Sequence, residues 1–158
     1  MLRMCRNTHS VALAGRILLS CIFLVSAYAK LSEWNSTLGM MEAKSLPAVP
    51  ALLVVALLIE GLGGLSILTG FYARAGAWML FLYLIPVTIV FHSFWDVGAA
   101  QQNIQLVSFL KNVSIMGGLL LLAANGPGRF SIGSERRFYD DVALDASRER
   151  SEIAGTRV

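Results

Sequence analysis

The chain has 158 residues, of which 56% are hydrophobic and 15% charged, whereas a soluble domain carries roughly 25% charged residues. That balance points to lipid, and the length points to one domain without internal repeats. The net charge is only +3, and the six basic and six acidic residues from Arg129 onward cancel, so nucleic acid is excluded as a partner.

Four stretches are long and apolar enough to cross a bilayer, which takes about twenty residues at ~1.5 Å each. They are residues 11–29, 48–70, 75–95 and 104–124. Residues 1–10 form a short basic N-terminus, 11–126 the transmembrane domain and 127–158 a polar tail. Between the spans lie a polar loop holding Pro47 and Pro50, the tight turn FYAR, and the short loop DVGAAQQN. Short connections make consecutive helices antiparallel neighbours, and the expected fold is an all-α, four-helix transmembrane bundle. Arg3, Arg6, Arg74, Arg129, Arg136 and Arg137 fall on one side, with Lys30 and Lys44 on the other. Basic flanks stay in the cytoplasm, so both termini are expected there. The first stretch also fits a signal peptide, with Ala27-Tyr28-Ala29 as the cleavage site. Against that, Arg16 interrupts it, and its loss would strip later polar groups of a partner.

Cys5 and Cys21 lie far apart and no Cys-x-x-Cys occurs, so dithiol exchange has no support. The informative residues are the ionisable ones inside the spans, each costing roughly 2.5–3.5 kcal/mol at the helix centre and therefore expected to face inward and pair. Arg16 lies in span one, Glu60 in span two, His92 in span three and Lys111 in span four. Helical rise puts Glu60 ~15 Å and Arg16 ~8 Å from the cytoplasmic end, so these two are expected to pair. His92, Lys111 and Asn112 are expected to meet near the outer face, ~6 to 11 Å deep. Thr88, His92 and Asp96 form one helical stripe, and Gln101, Gln105, Ser108 and Asn112 another. Pro86 should kink span three one turn below His92.

At these residues the chain resembles the DoxX family of small bacterial membrane proteins. The resemblance rests on GRILLSCIFLVSAYAKL, LIEGLGGLSILTGFYAR, TIVFHSFWD and FLKNVSIMGGLLLLAANGPGRFSI, covering residues 11 to 133. It implies a multi-pass inner-membrane protein with four helices. Some relatives are subunits of a thiosulfate:quinone oxidoreductase, and others are linked to membrane assemblies that handle thiol or oxidative stress.

Three functions fit these features. The first is a membrane subunit of an oxidoreductase system that binds a quinone or other lipophilic ligand, without covalent attachment, and works with a separate redox partner. Arg16, Glu60, His92, Lys111 and Asn112 would then bind the ligand or relay protons, and no residue is assigned to catalysis or to a metal. The second is a non-catalytic scaffold recruiting soluble enzymes through the tail. The third is a small-solute transporter, which four spans would support only as a homo-oligomer.

Overall fold

A computed structural model describes residues 2–132. Among the described residues five helices run in chain order: α1 (Leu2–Ser32), α2 (Trp34–Glu42), α3 (Val49–Thr69), α4 (Ala73–Phe91) and α5 (Ala99–Asn125), with a 3₁₀ turn at Phe94–Asp96 between the last two. The four stretches His9–Ser32, Val49–Thr69, Ala73–Asp96 and Ala99–Asn125 can each cross a bilayer. The four-span reading therefore holds, with shifted edges. Span three ends as a helix at Phe91, leaving His92 as its C-cap, and span four begins at Ala99.

Local chemistry sets these boundaries. Pro50 occupies the first turn of α3, where its missing N–H is no loss. Gly70 closes α3 with φ 78, the left-handed conformation that favours glycine. At the end of α5, Gly126 has φ 77, and Pro127 then prevents the helix from continuing. Pro86 is accommodated inside α4.

One element was hidden in the expected loop. Trp34, Leu38 and Met41 recur at intervals of four and three, making an apolar stripe on α2. That stripe packs on Val49, Leu53 and Phe91. The helix lies across the outer end of the bundle, and Ser45 (φ 54) and Ala48 (φ 48) bend the chain back into α3.

Packing runs α1 on α3, α3 on α4 and α4 on α5, with a slight α1–α5 contact closing the ring. Phe23, Ile67, Leu80, Leu84 and Leu119 form the buried centre. Close approach of α3 and α4 depends on small residues. A Cβ on Gly63 would stand 2.6 Å from Leu80 Cγ, and one on Gly76 would stand 2.5 Å from Ser66 Oγ. The tail was expected to begin after Gly126, but residues 127–132 belong with the bundle, since the Ile132 N–H bonds the Thr69 carbonyl. Residues 133–158, on which the scaffold reading rests, lie outside the described residues.

Candidate functional site

The expected pair of Arg16 with Glu60 does not form. Glu60, 4% exposed, instead pairs with Lys30, whose Nζ lies 2.9 Å from both carboxylate oxygens. The physical reason is side-chain direction. Every Cα–Cβ bond in a helix leans toward the N-terminus, so on α1, running outward, Arg16 and Lys30 both lean to the cytoplasmic side. On α3, running inward, Glu60 leans outward. Lys30 and Glu60 thus lean toward each other, and Arg16 leans away. Depth alone misassigned the partner.

Arg16 is bound elsewhere. Its Nε donates to the Ile67 carbonyl at 3.0 Å and its Nη2 to that of Leu68 at 2.8 Å. Its Nη1 donates to the carbonyls of Pro127 at 2.8 Å and Phe130 at 2.7 Å. The last four carbonyls of a helix have no partner within it. In α3 the Ser66 carbonyl accepts from Gly70 N and that of Thr69 from Ile132 N, while Arg16 takes the two between. A buried cation at a helix C-terminus is also favoured by the macrodipole. Arg16 therefore clamps three segments at the cytoplasmic end.

The Lys30–Glu60 pair belongs to a larger polar group. Tyr83 on α4 donates to Glu60 Oε1 at 2.8 Å, and Lys30 also donates to Ser26 Oγ at 2.6 Å. Sequence reasoning missed both Lys30 and Tyr83. In the sequence Lys30 looks like a flanking charge, and a lone Tyr in an apolar span carries no distinctive signal. Lys30 was recoverable, because Ser26 precedes it by one turn and it is the nearest outer cation.

The two polar stripes of the outer half do meet. Asn112 Nδ2 donates to Thr88 Oγ1 at 3.0 Å, and His92 Nδ1 lies 3.1 Å from Gln105 Oε1. Lys111 does not join them. It is exposed on α5, because it precedes Asn112 by one residue and hence points about 100° away around the helix. Asp96 is exposed in the 3₁₀ turn rather than continuing the stripe. Phe94, Trp95 and Phe109 stack edge-on beside this end, with ring centroids 5.0 to 6.1 Å apart.

Members of both polar groups line one cavity of about 690 Å³ toward the outer end, among α1, α3, α4 and α5 and capped by α2. Lys30, Glu60 and Tyr83 line it, and so do His92 and Asn112. Met40, Met41, Leu84, Val87 and Ile115 supply apolar surface, and Pro86 lines it below His92. Arg16 and Lys111 lie outside it. A cavity of 300–1,000 Å³, mainly apolar with a few convergent polar groups, has the dimensions of a small-molecule site.

Comparison with known proteins agrees with this architecture. Residues 11–93 match the DoxX family model. The inner membrane protein YqjF of Escherichia coli (strain K12) is 35% identical over 120 residues, 76% of this chain and 87% of that one. The inner membrane protein YphA of the same organism is 29% identical over 120 residues, 76% of this chain and 86% of that one. A more distant similarity, 30% over 129 residues, links 80% of this chain to 38% of the Surfeit locus protein 4 homolog of Schizosaccharomyces pombe. No solved structure matches. The chain belongs to the DoxX family and is an integral inner-membrane protein.

Proposed function

We infer that the protein is the membrane-embedded, ligand-binding subunit of an oxidoreductase system, holding a quinone or similar lipophile in the outer cavity while a separate partner supplies or takes electrons. The observation that carries this reading is the cavity, about 690 Å³ and largely apolar, with the Lys30–Glu60–Tyr83 group in its wall. A buried ion pair is costly to assemble, and within membrane spans such groups commonly mark a ligand or proton path. An apolar tail would pack on the methionines and aliphatic residues, and a polar ring would reach Tyr83, Glu60, His92 or Asn112.

The test is titration of purified protein with a decyl-substituted quinone, read by quenching of tryptophan fluorescence. Wild type should saturate at one site. Val55→Trp, at a half-exposed position on the cavity lining, should abolish saturation without lowering the thermal midpoint. Lys111→Ala should leave affinity unchanged, since Lys111 is not on the lining. Absence of saturable binding in wild type would overturn the reading, as would equal affinity in Val55→Trp. The redox partner is tested separately, by cross-linking in intact membranes followed by identification of a flavin- or haem-bearing protein.

A further inference from the structure

Donors and acceptors around the cavity are unequally spent. Lys30 Nζ has three N–H bonds and three acceptors within reach: Ser26 Oγ at 2.6 Å, and Glu60 Oε1 and Oε2 at 2.9 Å. The Tyr83 hydroxyl proton goes to Glu60 Oε1 at 2.8 Å. Neither residue has a donor left to offer. Acceptors remain. A carboxylate has about four lone-pair sites, and here three are used, leaving one on Oε2. The phenol oxygen of Tyr83 keeps its lone pairs.

The group of His92 and Asn112 has the same bias. A Gln carbonyl oxygen can only accept, so in the neutral tautomer that makes this contact the proton sits on His92 Nδ1, 3.1 Å from Gln105 Oε1. Its Nε2 is then an acceptor. Asn112 spends one N–H on Thr88 at 3.0 Å, keeping its carbonyl oxygen and one N–H. Among the described side chains on the lining, the Ser26 hydroxyl proton is a further uncommitted donor. Among charged groups, Glu33 and Glu60 line the cavity against Lys30 alone.

We propose that the cavity selects a lipophile whose polar head donates hydrogen bonds, a hydroxyl or hydroquinone, over the same skeleton bearing carbonyls or an anionic head. A hydroquinone O–H can donate to Glu60 Oε2 or Tyr83 Oη, whereas a quinone carbonyl approaching those atoms meets lone pairs and loses its water without replacement. A carboxylate head faces the same mismatch plus the surplus negative charge. The inference rests on the cavity being a lipophile site, as read above. Its consequence is thermodynamic. A quinone becomes its hydroquinone by gaining two electrons and two protons, so tighter binding of the reduced form makes the bound couple a stronger oxidant, by about 30 mV for each tenfold preference.

The experiment compares matched probes on detergent-solubilised full-length protein: a decyl-benzoquinone, its hydroquinone kept reduced under anaerobic conditions, decanol and decanoate. The hydroquinone should bind at least about tenfold more tightly than the quinone, and decanol more tightly than decanoate. Glu60→Gln, which puts an amide N–H where the free lone pair was, should bring the hydroquinone-to-quinone ratio toward one. Equal affinities in wild type, or tighter quinone binding, would overturn the selectivity while leaving the lipophile site standing. If no probe saturates, the lipophile site falls too. A ratio unchanged in folded Glu60→Gln would overturn Glu60 as its source.

Discussion

The two ends of the bundle use buried charge in opposite ways. At the cytoplasmic end Arg16 is 3% exposed and gives its donors to four backbone carbonyls, which ties α1 to α3 and to the chain after α5. Those bonds take four of its five N–H groups, and Arg16 is not on the cavity lining; the buried Ser131 hydroxyl beside it has no hydrogen-bond partner. Midway along α3, Glu60 is similarly buried, but its partners leave a carboxylate lone pair unspent beside the cavity. Burial of an ionisable group in a membrane span therefore does not by itself mark function. Unspent hydrogen-bonding capacity beside open volume does.

The largest effect should come from breaking the closed end. Arg16→Met strips this donor from the buried Ile67 and Pro127 carbonyls and from the partly buried ones of Leu68 and Phe130, and each unsatisfied buried group costs about 1–3 kcal/mol. A loss of about 4 kcal/mol is expected, measured as denaturant unfolding in detergent, with ligand affinity of the folded fraction unchanged. A loss below about 1 kcal/mol would show that the clamp does not hold the bundle.

Next comes the pair itself. Lys30→Met strands the Glu60 carboxylate with Tyr83 alone and should cost about 3 kcal/mol, the low end for a broken buried pair because the cavity is open. Glu60→Gln should cost less, since the amide oxygen still accepts from Tyr83 or Lys30. In double-mutant cycles, Lys30 with Glu60 should couple by at least about 1 kcal/mol, whereas Arg16 with Glu60 should be additive. Coupling in the second cycle instead would reinstate the pairing that the helix directions rule out.

Glycines sharpen the same contrast at smaller scale. Gly70 has φ 78, and a Cβ there would stand 2.5 Å from Ser131 Cβ and 2.8 Å from Ser131 Cα, so Gly70→Ala meets backbone as well as strain. A loss of about 2 kcal/mol is expected. Gly117, on α5, has nothing within 4 Å of a built Cβ, so Gly117→Ala should be neutral or stabilising by up to about 1 kcal/mol. Matched thermal melts of the two variants decide it.

These residues also show how far the sequence could be read. Spans were legible because lipid demands about twenty apolar residues in a row, and the stripes joining Thr88 to Asn112 and His92 to Gln105 were legible because helical period is local. Arg16 and Glu60 were correctly singled out as buried, but pairing them used rise along the axis and ignored the lean of side chains toward each helix N-terminus. Lys111 failed on rotation around the axis, one residue away from Asn112. The short helix α2 was masked by the polar residues between Trp34, Leu38 and Met41. The cavity was not legible, because a void depends on how four helices sit together and no stretch of residues encodes it locally.

The smallest expected effect tests the open half most directly. Thr88 is 1% exposed, and its hydroxyl accepts from Asn112 Nδ2 at 3.0 Å. Thr88→Val keeps the shape and removes the acceptor, so the core stays filled while one Asn112 N–H loses its partner. Net loss for such a bond is about 1 kcal/mol, and the cavity beside Asn112 gives that N–H access to water, which holds the cost near or below that figure. The freed N–H is also a new donor at the site, and a carbonyl-headed ligand gains more from it than a hydroquinone already provided with acceptors. Thr88→Val should therefore barely move the thermal midpoint yet tighten quinone binding relative to hydroquinone by several-fold. A midpoint loss without any change in that ratio would mean that Asn112 stabilises the α4–α5 contact and does not touch the ligand, which would confine the binding surface to the Lys30–Glu60–Tyr83 wall.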